Sequence, residues 1–172
     1  MPQPIAPNPR RPARPVRAAR MQRLGGLPTV CAVVTAIQAL YMLLVAFGNA
    51  TDFGTNEAFV RHVLAMDTTN FGQPAGEGLD PDVMWRAIDS PTLQRAAYLV
   101  IVVWETLTAA VLLGACVLWV RGFTTTSLDP ARRAASLGFL MVVALFFGGF
   151  ITIGGEWFQM WRSDAWNGLD PA

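Results

Sequence analysis

Residues 97–120 read AYLVIVVWETLTAAVLLGACVLWV, an apolar run with one charged side chain, Glu105. A helix needs about 20 such residues to cross a hydrocarbon core of about 30 Å. Just upstream, Ser90-Pro91 is a helix start: serine can cap the free amides, and proline suits the first turn because it has no amide to satisfy. A second run, TVCAVVTAIQALYMLLVAF, covers residues 29–47, and a third begins at residue 134 behind a second start signal, Asp129-Pro130. The third continues past Gly154-Gly155 into EWFQMW, which puts the spans at about 29–47, 97–120 and 134–156. The rival for the first run is a cleaved signal segment, since Ala46 and Gly48 form a small-x-small pattern before Asn49. The run is longer than a usual signal core, and Gln38 and Tyr41 interrupt it, so a retained span is expected.

Composition agrees with a membrane protein. Hydrophobic residues make up 53% of the 172 and charged residues 15%, with mean hydropathy +0.37. Soluble domains average about 25% charged. No strand pattern competes, so the expected fold is an all-α membrane protein with three transmembrane helices. All 13 basic residues are arginine, and a net charge of +1 gives no basic surface for nucleic acid. The two cysteines, Cys31 and Cys116, and the single histidine, His62, lie far apart, so no metal-ligand spacing exists. No phosphate loop, dinucleotide fingerprint or serine–histidine–acid set appears, which leaves no catalytic residue and no cofactor to assign.

The flanks of the spans set the organisation. Residues 1–28 are rich in proline and arginine and are expected to form a disordered basic tail, with Met21 as an alternative start. Residues 29–168 form the helical domain. Its loop 49–96 holds TNEAFVRHVLAMD, where Phe59, Val63 and Met66 recur at helical spacing. Thr55 or Asn56 can cap that helix, and Glu57 stands four residues before Arg61. After a glycine-rich link, LDPDVMWRAID offers Asp80 as a cap and Pro81 at the first turn of another short helix. Two short amphipathic helices are therefore expected against the membrane surface. Arginines precede span one, and Arg121, Arg132 and Arg133 fill the short loop 121–133, whereas loop 49–96 is acidic. Positive-inside then places the N-terminus in the cytoplasm and the C-terminus outside.

Glu105 is the most informative group. A carboxylate in mid-span costs on the order of 2.5–3.5 kcal/mol unless it faces protein or is protonated. At 1.5 Å per residue it lies about 12 Å below the outer end of its span, and Tyr41 and Gln38 of span one fall at roughly 11–16 Å. Gly148-Gly149 of span three sits at a similar level and leaves room. Gln38, Tyr41 and Glu105 are thus a candidate polar cluster, either a proton, cation or ligand site or a set of interhelical hydrogen bonds. AVLLG (110–114) and ALFFG (144–148) are candidate close-packing pairs. WRAID and MWRSDAW each set an arginine directly after a tryptophan on the outer side, where both side chains suit the interface. Arg86, Glu156, Trp157, Trp161, Arg162 and Asp164 form a candidate outer-face interaction site. Trp157 and Trp161, four apart, are expected on one helix face, with the helix ending at WNG (166–168).

NATDFGTNEAFVRHVLAMDTT, WRAI, AAYLVIVVWETLTA and GGEWFQMWRSDAWNG together resemble a bacterial family of predicted small integral membrane proteins catalogued as a domain of unknown function. The resemblance covers about residues 25–168. It implies a multi-span inner-membrane protein and brings no activity, cofactor or site. The expected role is a non-enzymatic accessory or assembly subunit of a membrane complex, with a protein partner or a second copy beside it in the bilayer. The alternative is a small transporter or ligand sensor built on Glu105.

Overall fold

The computed structural model describes residues 25–125 and 127–169; the proline–arginine tail up to residue 24 lies outside them. Among the described residues there is no strand, and the helices are α1 (Leu27–Thr51), α2 (Phe53–Ala65), α3 (Pro91–Thr124) and α4 (Asp129–Trp157). Three of them, α1, α3 and α4, are long and apolar enough to cross a membrane. Ser90 caps α3 as its sequence predicts, its Oγ accepting from the Leu93 amide, and Pro91 takes the first turn.

The packing of α1 on α3 follows from one seam. On α3 the seam runs through the buried Gln94, Tyr98, Glu105, Thr108, Leu112, Ala115, Trp119 and Gly122, with half-buried Ile101 filling the gap and buried Ala109 beside it. Steps of four and three alternate, the 3.5-residue period of a helix that faces one partner along its length. On α1 the stripe is Thr35, Ala39, Met42 and Ala46. Two cross-bonds fix the register: Trp119 Nε1 donates to Thr35 Oγ1 at 3.2 Å, and Asn49 Nδ2 donates to Glu105 Oε2 at 2.6 Å. They lie the same number of residues apart on both helices, so α1 and α3 run antiparallel without a slip. In lipid no hydrophobic force draws helices together, so small side chains that allow close approach and buried polar bonds take that role.

The first half of α4 packs on α3 through Leu128, Ala131, Ala135 and Gly138. Leu112 sits directly over Gly138, and Trp104 Nε1 donates to the Met141 carbonyl at 3.0 Å. The pairs Ala110/Gly114 and Ala144/Gly148 do not make this contact. Gly114 and Gly148 face open space, and the close approach falls on Gly138 because it, not they, lies on the α4 stripe. From Ala144 to Trp157 the helix widens to π geometry: the Phe158 amide bonds the Ile153 carbonyl and Thr152 Oγ1 bonds the Phe147 carbonyl, five residues back in each case. Such turns are rare and short elsewhere. Widening shifts the side-chain rows, so this half leans off α3 and buries only Gly154 and Gly155.

At the end where α3 begins, a cap covers the bundle. α1 passes into α2 with only Asp52 between them, and α2 lies along the first turns of α3. Phe53 packs edge-on to Tyr98 at 4.6 Å, and Glu57 pairs with Arg95 at 3.7 Å instead of Arg61. α2 starts at Phe53, ahead of Thr55 and Asn56, because it continues the run of α1 and needs no new cap. Its Phe59, Val63 and Met66 do face one core, shared with Phe158 and Met160. The second cap helix shrinks to a single turn, Met84–Arg86. The Ile88 amide bonds the Leu64 carbonyl at 2.8 Å, which draws the chain onto α2 before a second turn can form.

Candidate functional site

Glu105 lies on the α3 seam, 5% exposed, about 21 Å from Pro91 and about 24 Å from Arg121 along the helix. Through Asn49 the carboxylate is level with the last turn of α1, just below the cap. Its partner is Asn49, and the Asn49 carbonyl in turn accepts from Tyr98 Oη at 3.0 Å. A carboxylate accepts only, so the Asn49 amide presents its nitrogen. No arginine forms an ion pair with Glu105 among the described residues: Arg95 is paired with Glu57, and Arg162 with Asp80.

Gln38 and Tyr41 do not join this group. Tyr41 points out of the bundle, 47% exposed, with its ring 6.0 Å from Phe146, and half-buried Gln38 lies about 16 Å along α1 from Asn49. α1 continues to Thr51 and α3 begins at Pro91, so the helices slide past the ends that hydropathy suggests, and Asn49 arrives opposite Glu105.

The lean of the wide half of α4 opens a cleft of about 390 Å³ with Glu105 and Asn49 at one end. Phe59 and Val63 of α2, Ile101 of α3, and Phe146, Gly149 and Phe150 of α4 line its walls. Its surface is overwhelmingly apolar, with few polar groups converging on it, the usual character of a small-molecule site.

Four of the six cap residues fall into two clusters. Met84–Arg86 and Met160–Arg162 have the same sequence, Met-Trp-Arg, and each makes one 3₁₀ turn. In the first, Arg86 stacks on Trp85 and Trp157 at 5.5 and 5.1 Å, and its Nη1 donates to the Trp157 carbonyl. In the second, Arg162 stacks on Phe71 and Trp161 and bonds Asp80 Oδ2 and Gln159 Oε1 at 3.2 and 2.8 Å. Trp157 and Trp161 do not share a helix face, because Gln159 turns left-handed (φ +51°) and ends the helix before WNG. Glu156 is exposed, and Asp164 lies against Gly72, where a Cβ would strike its carboxylate. His62 sits 2.9 Å from the Asp67 carboxylate and stacks on Trp166. Among the described residues no group of three metal-binding side chains forms.

A family model described as predicted small integral membrane protein (DUF2165) matches residues 28–172. No curated protein and no solved structure matches the chain.

Proposed function

Because the chain belongs to this family of predicted small integral membrane proteins, we propose that it is a non-enzymatic membrane protein that takes up a small amphipathic molecule in the cleft at Glu105. The carrying observation is the pairing of apolar walls with one polar end inside the membrane. Gly149 offers the test. A Cβ there meets nothing closer than the Ala144 carbonyl at 4.0 Å, so a side chain can start there, and Gly149→Leu adds bulk at a position that lines the cleft. In nanodiscs, labelling by a photoactivatable long-chain alcohol is expected to fall at least tenfold in Gly149→Leu, with the thermal midpoint unchanged. Labelling that persists at the wild-type level overturns the proposal.

A second reading, the accessory subunit, rests on α4. Only 6% of its apolar window is buried inside the chain, against 22% for α1 and 28% for α3. Another helix against α4 would cover that face, and gentle-detergent purification that yields only monomer would sink this reading.

For orientation we propose that the cap faces away from the cytoplasm of an inner membrane. Arg121, Arg132 and Arg133 cluster at the opposite end. Glu77→Cys in the cap should react with an impermeant maleimide on intact cells, and Ser127→Cys only after permeabilisation. The reverse pattern inverts the topology.

A further inference from the structure

We infer that the ligand of the Glu105 cleft is a single-chain organic cation, an ammonium group on an apolar body. This rests on the proposal that the cleft binds an amphipathic molecule at all. The inference comes from charge accounting within the site. Glu105 is buried on the α1–α3 seam, and its hydrogen bond from the protein comes from one neutral amide donor, Asn49 Nδ2. Such a donor does not offset a carboxylate taken out of water; that takes a cation or a proton.

Each arginine at the cap end is engaged elsewhere. Arg95, about 15 Å up the same helix, is ion-paired to Glu57. Arg86 is held between Trp85 and Trp157, and Arg162 between Phe71 and Trp161 with Asp80 as counter-ion. Arg61 lies beside His62. Tyr98 Oη is spent on the Asn49 carbonyl. Among the described residues, the uncompensated charge facing the cleft is therefore negative, in a lining otherwise mostly of Phe, Val, Ile and Leu side chains.

A neutral amphiphile fits the walls and leaves that charge uncompensated. An anionic one meets repulsion in a medium that screens little. A double-chain phospholipid brings a phosphate beside its ammonium, an anion that Glu105 repels. A single-chain amine fits walls and end together.

The test ranks three matched probes, a long-chain amine, alcohol and carboxylate of equal length. Each displaces the photoactivatable alcohol from the full chain in phosphatidylcholine nanodiscs, compared at equal membrane-bound mole fraction. The amine is expected to displace at least tenfold more potently than the alcohol, and the carboxylate least. In Glu105→Gln the amine should fall to the alcohol's potency, while the alcohol stays within about twofold. Equal potency of amine and alcohol in the wild type overturns the cation and leaves the cleft reading standing; a proton is then the partner of Glu105. Failure of every probe to displace overturns both. The wild-type ranking decides even where Glu105→Gln does not accumulate.

Discussion

Replacing Gly138 with leucine is expected to break the α3–α4 contact. A Cβ at this position would lie 2.5 Å from Leu112 Cδ2 and 2.7 Å from Leu112 Cγ. Leu112 cannot swing aside, because it is fully buried in the cluster with Ala39, Met42 and Ala109. Overpacking of a tight core costs about 1–3 kcal/mol, occasionally more, and the upper end applies where both backbones are held. Leu112→Ala alone should cost about 2–5 kcal/mol through the cavity it leaves. Combined, the two changes are expected to compensate, with a coupling of about 1–3 kcal/mol. Unfolding in mixed detergent, followed by circular dichroism, measures all three variants. Strict additivity would mean that Gly138 and Leu112 are not in contact.

The second large effect is at Asn49. Asn49→Leu removes the donor that holds Glu105 Oε2 and leaves a buried carboxylate with no protein partner. Leaving a buried group without its hydrogen-bond partner costs about 1–3 kcal/mol, more for a charged one, whereas replacing both partners by apolar residues is often nearly neutral. Asn49→Leu should therefore be far less stable than wild type, and Asn49→Leu with Glu105→Leu should recover most of the loss. The same detergent titration reads both. A double variant as unstable as the sum of the single ones would show that the bond contributes nothing to the fold. The Tyr98 bond survives in every case, since it uses the Asn49 backbone carbonyl.

Glu105 was legible in the sequence because it is the only charged residue between Ala97 and Val120. Its partner was not. By hydropathy the apolar run ends at Phe47, and Asn49 reads as the start of a loop, yet α1 runs on to Thr51. One signal pointed to it: the buried stripe Thr35, Ala39, Met42, Ala46 steps next onto Asn49, while Tyr41 falls off it. The wide half of α4 had no such signal, because sequence periodicity is read at 3.6 residues per turn and a π segment does not keep that period. Its paired glycines, Gly148-Gly149 and Gly154-Gly155, mark where it lies but not what it does. The tryptophan–arginine adjacency at 85–86 and 161–162 was visible, but not which rings each arginine would choose. Phe71 and Trp157 are far away along the chain and arrive only through tertiary packing.

The duplicated Met-Trp-Arg turns bear on how the molecule stands in a bilayer. Trp85 with Trp157 forms one interfacial foothold, and Phe71 with Trp161 another, with no ring common to both. A bundle held at one point can pivot and absorb a change in bilayer thickness by tilting. Two footholds define a line, and tilting across it would pull one pair of rings out of the headgroup layer. In a thinner membrane the lipid around this protein must therefore thicken locally, since the bundle cannot lean freely to shorten its span.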